Sequence, residues 1–344
     1  MIGRLPAIAA AALAAFAASA FPARADAVAD FYRGKQISVI IGTSTGNDYD
    51  FRARLLARHM GRFIPGEPTL VPRNMPGAGG INAANYFANV APHDGTVIHL
   101  IMANMMGKQA IGVAGVKFDA RKFSWIGNTT STPNVTSAWH TSGVTRIEQV
   151  KERELIIGAP AGTAGEVYGA VMNALAGTKF KVVTGYPGGN EVNLAMERGE
   201  LQGRASNSWA SWKSTRPDWV RDKKLIVLVQ VALKRDPELK DIPTLIELVN
   251  DERDKSLMAF LSAETAVARA LVAPPDIPAD RLNALRRAFD KTMRDPQFLA
   301  EAAKTKMDIQ PMSGEEAQPI AHAIVNTSPE VIGHARKVLG NLLR

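Results

Sequence analysis

Short runs of aliphatic and β-branched residues alternate along the chain with longer segments in which apolar residues recur every three to four positions. The first run, Gln36–Ile41, leads into a helical pattern that starts near Asp50. A second run, residues 69–71, leads into another helical pattern that begins near Ile81. Apolar runs of this length are typical of buried strands, and a 3.6-residue period is typical of amphipathic helices. The alternation predicts an α/β fold.

The same alternation continues towards the C-terminus. Further strands are predicted at residues 96–102, 123–126, 135–139, 154–157, 179–183 and 225–231. Helices are predicted at residues 166–176, 191–198, 278–292, 296–304 and 315–339. Ser313 and Glu316 have the spacing of a capping box, and Asp295 stands before a proline as a helix N-cap does, so both mark predicted helix starts.

Four glycine-rich turns follow predicted strands, and each turn leads into a predicted helix. They are residues 42–48, 73–80, 158–165 and 185–190. Such a turn presents unpaired backbone N–H groups and the positive end of a helix dipole to a small anion. In an open α/β sheet, ligands bind at the edge where the strands have their carboxyl ends. The pattern therefore predicts an anion-binding site that is built from several turns.

Residues 1–25 have the pattern of a secretory signal peptide. Arg4 precedes an almost unbroken apolar run at residues 5–21, and the small residues Ala23 and Ala25 define a cleavage site before Asp26. No later stretch approaches the roughly 20 apolar residues that span a bilayer. We therefore expect a soluble mature chain that is exported across the inner membrane.

The composition narrows the class of protein further. The chain has 344 residues and no cysteine, so packing alone must stabilise it, although an oxidising compartment would permit disulfides. Residues 26–344 exceed what one hydrophobic core usually supports, which predicts two lobes. The formal charge of +8, or about +6 without the leader, suits an anionic ligand or serves solubility. The basic residues form no stripe with interleaved aromatic residues, which argues against nucleic-acid binding.

The sequence contains no motif for catalysis or for a cofactor. The first glycine turn is not G-x-G-x-x-G, and neither a G-x-x-x-x-G-K-[ST] loop nor a G-x-S-x-G elbow occurs. The six histidines are widely spaced, and none has the i, i+4 or H-E-x-x-H spacing of zinc ligands. We therefore expect a protein that is not an enzyme, with no catalytic residue, no cofactor and no metal.

Five motifs, in the same order, resemble those of one receptor family. Residues 46–57 keep the final Asp, Ala and Arg of a P-x-x-x-G-G-x-x-D-x-x-A-R turn, and residues 74–80 match N-x-P-G-A-G-G. Residues 91–96 resemble A-P-D-G-Y-T, residues 241–245 match D-V-P-T-L, and residues 273–283 resemble A-P-x-x-x-P followed by L-N. Over nearly its whole mature length, the chain resembles the extracytoplasmic solute receptors of the tripartite tricarboxylate transporter family, often called the Bug family.

This resemblance implies a type II periplasmic-binding-protein fold, in which two α/β lobes are joined by two crossover strands and enclose a ligand cleft. Lobe 1 would comprise residues 26–127 plus 232–344, and lobe 2 would comprise residues 128–231. The resemblance also implies a monomer that binds the carboxylate of a small organic acid by hinge closure. The acid would then pass to the membrane permease subunits of a secondary transporter.

Two alternatives to this function stay open at the level of the sequence. Asn47 and Asp48 stand where the family usually has two glycines, and if they face the cleft, the ligand carries an amine or amide group. A periplasmic sensor that reports to a membrane signalling partner would have the same fold. Asp48 would otherwise serve as the N-cap of the first long helix.

The resemblance and the turns together select the candidate ligand contacts. In the first two turns, hydroxyl, amide and carboxylate groups could contact the ligand or only cap helices. Tyr49 could stack on a flat ligand or pack at the base of the turn. A glycine offers its backbone N–H group. In the later turns, Arg204 could hold a carboxylate with its planar fork or form a surface ion pair. The candidates are Thr43, Ser44, Thr45, Asn47, Asp48, Tyr49, Gly79, Ala161, Gly162, Thr163, Tyr186, Gly188, Arg204 and Ser206.

Overall fold

The computed structural model describes residues 27–343, so the predicted signal peptide and its cleavage site lie outside the described residues. Within this range, the strands are β1 (Gln36–Ile41), β2 (Thr69–Asn74), β3 (Val97–Leu100), β4 (Ser124–Asn128), β5 (Asn134–Trp139), β6 (Leu155–Pro160), β7 (Phe180–Tyr186), β8 (Gly203–Ser208), β9 (Leu225–Val231), β10 (Ala270–Ala273) and β11 (Met312–Ser313).

Helices follow most of these strands. In chain order they are α1 (Ala27–Tyr32), α2 (Asp48–His59), α3 (Ile81–Asn89), α4 (Met105–Ile111), α5 (Glu148–Glu152), α6 (Ala164–Ala176), α7 (Gly189–Glu197), α8 (Trp209–Thr215), α9 (Pro217–Arg221), α10 (Glu252–Ala263), α11 (Ala279–Met293), α12 (Pro296–Lys304), α13 (Gly314–Val325) and α14 (Pro329–Leu339). None of the helices within residues 27–343 is long and apolar enough to cross a membrane.

The strands form two separate sheets, each at the centre of one lobe. The six-stranded sheet has the order β11-β4-β10-β3-β1-β2, and the five-stranded sheet has the order β7-β6-β8-β5-β9. We call the part around the six-stranded sheet the first lobe and the part around the five-stranded sheet the second lobe. Strand β1 pairs in parallel with both β2 and β3, and β6 pairs in parallel with β7 and β8. Parallel pairs align the carboxyl ends of these strands, and therefore their turns, at one edge of each sheet.

The chain passes from one sheet to the other near the ends of β4 and β9. It leaves the six-stranded sheet at Asn128 and enters the five-stranded sheet at Asn134, where β5 begins. It leaves the second sheet at Val231. Strands β5 and β9 pair antiparallel with each other, so both connections lie on neighbouring strands of the second lobe. The two-lobed α/β fold that the sequence predicts is therefore present, and the exact lobe boundaries stay a prediction.

Most predicted elements lie within a few residues of the observed ones, and β9 and α12 have the predicted bounds. The capping box of Ser313 and Glu316 is confirmed, as is the Asp295 cap. The single helix predicted at residues 315–339 is wrong, because α13 ends at Val325 and α14 begins at Pro329 after the Ser328 cap. Proline has no N–H and disfavours the helical conformation of the residue before it, so it starts a new helix here.

One close contact between a strand and a helix offers a direct check of this packing. Gly127 of β4 faces the fully buried ring of Phe289 on α11, and a Cβ atom added to Gly127 would lie 2.2 Å from the ring carbon Cε1. We predict that Gly127→Ala lowers the free energy of unfolding by roughly 1–3 kcal/mol, because the buried ring has to move. Chemical denaturation measures the change.

The matched control is Gly333→Ala in the middle of α14. A Cβ atom there meets no other atom within 4 Å. Alanine has a better helix propensity than glycine, so this variant should be as stable as the parent or more stable by up to about 1 kcal/mol. Equal stability of the Gly127→Ala variant and the parent protein would contradict the packing of β4 on α11.

Candidate ligand-binding cleft

A cavity of about 500 Å³ lies where the glycine-rich turns of both lobes meet. Its lining includes the turns that follow β1, β2 and β3 in the first lobe and β6, β7 and β8 in the second. The cavity therefore lies at the carboxyl ends of the strands, as the sequence predicts. Its volume falls in the range of sites for small organic molecules.

Five of the described helices begin at this cavity, and α2, α6 and α7 are the longest of them. Asn47, Thr163 and Gly188 stand at the N-cap positions of α2, α6 and α7, and all three residues line the cavity. The N-terminus of a helix carries unpaired N–H groups and a positive partial charge. The cavity is thus flanked by helix ends that favour a negatively charged occupant.

Twelve of the fourteen candidate residues from the sequence line the cavity, and Thr45 and Gly162 do not. Thr45 is exposed at the tip of its turn. The carbonyl of Gly162 accepts a hydrogen bond from Lys108 at 2.8 Å. The Thr163 hydroxyl donates to the Pro160 carbonyl at 2.8 Å and makes no capping bond. The structure brings most of the candidates together, and their contact with a ligand stays a prediction.

Asn47, rather than Asp48, caps helix α2, so the expectation that Asp48 is the N-cap is wrong. The Asn47 side-chain oxygen accepts hydrogen bonds from the backbone N–H groups of Tyr49 and Asp50. Its amide nitrogen donates to the Ser44 carbonyl at 2.5 Å, and its oxygen also accepts from the Thr43 hydroxyl at 3.1 Å. The hydrogen bonds of the Asn47 side chain therefore stabilise the first turn.

Asp48 forms a buried ion triad with two arginines. Only 2% of Asp48 is exposed. Arg52 Nε lies 3.1 Å from both carboxylate oxygens, and Arg269 Nε lies 2.5 Å from Oδ2. Burial alone would raise the pKa of Asp48, but the charges and hydrogen bonds of the two arginines outweigh it and lower that pKa below its usual value. Asp48 lines the cavity, yet its charge is already balanced.

Arg269 extends the triad to the second lobe. It stands one residue before β10 of the first sheet, and its Nη2 donates to the Ser208 hydroxyl at the end of β8, at 2.7 Å. Its guanidinium lies 4.1 Å from the centre of the Tyr49 ring and donates to the Tyr49 hydroxyl. Tyr49 therefore packs at the base of its turn and also lines the cavity.

Arg204 is a buried cation on the cavity wall, so the reading of a surface ion pair is wrong. It is 8% exposed, and its guanidinium donates to the Gly189 and Ser206 carbonyls and to the Asn193 side chain. Burial, and then the charge of Arg216, lower the pKa of Arg204 to about 9, so it is charged at neutral pH. Among residues 27–343, no carboxylate forms an ion pair with Arg204, and its Nη2 has no hydrogen-bond partner.

The turns of the two lobes touch each other beside the cavity. Lys108 Nζ donates to the carbonyls of Gly79 in the first lobe and Gly162 in the second, at 3.2 and 2.8 Å. The Asn190 side chain donates to the Gly46 carbonyl at 3.1 Å. A Cβ atom on Gly79 would lie 2.0 Å from the Gly162 oxygen, so only glycine permits this approach.

Several polar lining residues were not among the candidates. Glu264 and Arg269 both precede strand β10, a short buried strand that the sequence pattern did not predict. Tyr168 lies inside α6, beyond the turn that carried the motif. The remaining polar lining residues include Asn104, Asn134, Asn207, Ser208 and Ser211. Within the part of the chain that the structure describes, no group of three or more metal-ligating side chains could hold a metal ion.

The two lobes and the turn-lined cleft between them have the fold of periplasmic binding proteins. A solved structure of the periplasmic binding protein BugD superposes with a TM-score of 0.70 at 19% identity, covering 89% of this chain and 98% of that one. The Rpa4515 protein of R. palustris, solved with adipate, gives a TM-score of 0.67 at 18% identity, covering 89% and 98%.

The sequence comparison identifies the family. Residues 53–336 match the tripartite tricarboxylate transporter family receptor. The UPF0065 protein in the gbd 5′ region of Cupriavidus necator is 26% identical over 339 residues, which are 94% of each chain. The chain therefore belongs to the receptors of the tripartite tricarboxylate transporter family, the Bug family, as its motifs indicated.

The ion triad generates a prediction about stability. We expect Asp48→Asn to lower the free energy of unfolding by roughly 3–5 kcal/mol, because it leaves the charges of Arg52 and Arg269 buried without a carboxylate. Chemical denaturation at pH 7 measures the loss. The control is Asp30→Asn, which removes an exposed pair with Arg33 and should cost less than about 1 kcal/mol. Similar losses for the two variants would contradict the structural role of the triad.

Proposed function

We propose that this chain is a periplasmic solute receptor that captures a small organic acid between its lobes and delivers it to the permease subunits of a membrane transporter. The observation that carries the proposal is Arg204, a buried guanidinium on the cavity wall with no acidic partner among the described residues. A buried cation is costly unless an opposite charge pairs with it. A ligand carboxylate supplies that charge.

The charges around the cavity favour an anion over a cation. The negative charge of Asp48 offsets only one of the two positive charges of Arg52 and Arg269. The remaining charge and that of Arg204 leave the cavity with a net positive charge. The N-termini of α2, α6 and α7 add positive partial charge at the same cavity. An ionised carboxylate that accepts hydrogen bonds from such donors forms charge-assisted bonds, which are stronger than neutral ones.

Capture of the ligand follows from the arrangement of the lobes. Arg204 belongs to the second lobe, whereas the turns after β1 and β2 belong to the first. A ligand that contacts both lobes binds the closed arrangement better than an open one and shifts the population towards it. The protein makes and breaks no covalent bond in this process.

Family membership and the adipate-bound relative support an acid as the ligand. The amine-bearing alternative rested on Asn47 and Asp48, but Asn47 caps a helix and Asp48 is paired with arginines. The predicted leader at residues 1–25 and the periplasmic relatives support a periplasmic location. Delivery to a permease, rather than signalling, is supported by the transporter family to which the receptor belongs.

A binding screen tests the proposed function. Residues 26–344 are purified and heated with mono-, di- and tricarboxylates, aromatic acids and amino acids. A ligand at 100 times its dissociation constant adds about 2.7 kcal/mol to the stability of the folded state and raises the melting temperature. We expect stabilisation by one or more acids. Stabilisation by amines alone, or by nothing on the panel, would contradict the proposal.

The role of Arg204 is tested with whichever acid the screen selects. Arg204→Met should weaken its binding roughly 10- to 100-fold, because a charge-assisted hydrogen bond contributes about 1.5–3 kcal/mol. Isothermal titration calorimetry measures both affinities. The control is Arg198→Met, which removes an exposed arginine of the same lobe that does not line the cavity and should leave the affinity unchanged. Equal affinities of the Arg204 variant and the parent protein would refute the assigned contact.

A further inference from the structure

A second group at the cavity, the carboxyl of Glu264, is buried with a single hydrogen bond, which it accepts from the first turn of α4. Glu264 is 4% exposed, lines the cavity and begins the short 3-10 turn Glu264–Val267 before β10. Its Oε1 accepts one hydrogen bond, from the backbone N–H of Gly107 at 3.1 Å. Among the described residues, Oε2 has no partner and no cation lies within ion-pair distance.

This environment favours the neutral form of Glu264. A carboxylate that is buried with a single hydrogen bond is costly, so such a group keeps its proton instead. The charge of Lys108 acts on Glu264, but the Lys108 ammonium donates its hydrogen bonds to the backbone carbonyls of Ala78, Gly79 and Gly162. Burial raises the pKa of Glu264 to about 8, and the Gly107 hydrogen bond and the Lys108 charge oppose that rise only in part.

Tyr168 gives the same part of the cavity a second hydroxyl group. It is 1% exposed, lines the cavity and accepts a hydrogen bond from the Asn134 side chain at 3.3 Å. Its own proton has no acceptor among the described residues. Burial is the main cause of the raised pKa of the Tyr168 phenol, and the negative charge that Glu264 acquires at high pH adds to it, so both groups keep their protons at neutral pH.

The pair of Glu264 and Tyr168 is separate from Arg204. Glu264 lies just before β10 of the first sheet, whereas Arg204 lies on β8 of the second sheet, and both groups line one cavity. Their immediate neighbours also differ, since Glu264 contacts α4 while Arg204 contacts α7. The cavity therefore has two polar ends.

We propose that Glu264 is a specificity-determining residue that, together with Tyr168, donates hydrogen bonds to an oxygen atom of the ligand at the end remote from Arg204. The proposal rests on the proposed function, because it assigns the second end of the same site. It narrows the ligand to acids that carry another oxygen acceptor, such as a second carboxylate, a carbonyl or a hydroxyl group. An ammonium group at that end would meet donors instead of acceptors.

Three probes of matched length test this selectivity by calorimetry on residues 26–344. Adipate has a second carboxylate, hexanoate has a methyl group in its place, and 6-aminohexanoate has an ammonium group. We expect adipate to bind at least tenfold more tightly than the other two. Tighter binding of 6-aminohexanoate than of adipate would overturn the proposal, because Glu264 would then be an anion that pairs with the ammonium group. Tighter binding of hexanoate would also overturn it, because the ligand would then not contact Glu264.

Substitutions of Glu264 separate hydrogen-bond donation from a merely structural role. Glu264→Leu removes the donor and should weaken adipate binding at least tenfold. Glu264→Gln keeps the shape and an N–H donor, so it should restore most of the affinity that the leucine variant loses. A glutamine variant as weak as the leucine variant, or a leucine variant as strong as the parent protein, would overturn the proposal.

The pH dependence of binding gives an independent readout. The parent protein should lose adipate affinity as the pH rises through about 8, because Glu264 then loses the proton that it donates. The Glu264→Gln variant should not show this loss. Lys108 on α4 also titrates near pH 8, while Tyr168 on α6 titrates far higher, so the comparison is repeated in a Lys108→Met background. Equal pH profiles for the parent protein and the Glu264→Gln variant would refute the proposal.

A measurement without ligand separates this proposal from the proposed function. Between its ordinary pKa of 4.5 and the folded-state value of about 8, Glu264 keeps a proton in the folded protein that it loses in the unfolded chain. The free energy of unfolding of the parent protein should therefore fall relative to Glu264→Gln as the pH rises from about 4.5 to about 8, and then stay level. Parallel curves would overturn the Glu264 proposal even if acids bind. If the two stability curves diverge but no acid binds, the proposed function is overturned, and so is the assignment of Glu264 as a ligand contact.

Discussion

The buried ion triad around Asp48 is the constraint on which the cleft depends. One carboxylate holds two buried guanidinium groups, Arg52 on its own helix and Arg269 before β10. Arg52 donates to the Asp308 carbonyl, and Arg269 donates to Ser208 of the second lobe. Through these two arginines, the Asp48 carboxylate therefore connects the first turn, the C-terminal segment and the second sheet. Because a buried ion triad needs all its members, this arrangement fixes where the turns can lie.

The triad also divides the cations of the cavity into two kinds. Arg269 is paired with Asp48 and stacked on Tyr49, so its charge serves the protein's own structure. Arg204 donates only to neutral groups, and its charge has no counterpart among the described residues. Both arginines are buried, and only their partners distinguish a structural role from a role in binding.

The fold could be predicted from the sequence because the pattern that indicates each strand, turn or helix lies within a short segment of the chain. The apolar runs and glycine turns lie within single βα units, and five motifs identified the family from short segments. The break between α13 and α14 was signalled by Pro329, but the apolar period continues across it and masked the boundary. Strand β10 has four fully buried residues, so it shows no alternation that would separate it from a buried helix.

The site could be predicted only where its residues lie on those turns. Asp48 and Arg52 are four residues apart and face each other on one helix, but Arg269 is 221 residues from Asp48 in the chain. Burial of Glu264 results from packing among distant segments, so nothing in its neighbouring residues indicates a shifted pKa. The ability of Arg204 to hold a carboxylate could be predicted from its residue type, whereas its lack of an acidic partner among the described residues required the structure.

Hydrogen bonds between the lobes contribute to closure before any ligand binds. The neutral bond of Asn190 to Gly46 contributes about 0.5–1.5 kcal/mol net, whereas the bonds of the charged Lys108 to Gly162 and of the charged Arg269 to Ser208 contribute about 1.5–3 kcal/mol each. Moving a two-state equilibrium from 1:99 to 99:1 requires about 5.5 kcal/mol of differential binding. Together these bonds are of the same order of magnitude as that amount, so they already favour a closed arrangement. Under the function that we propose, a ligand that contacts both lobes adds its own differential binding and shifts the population further towards closure.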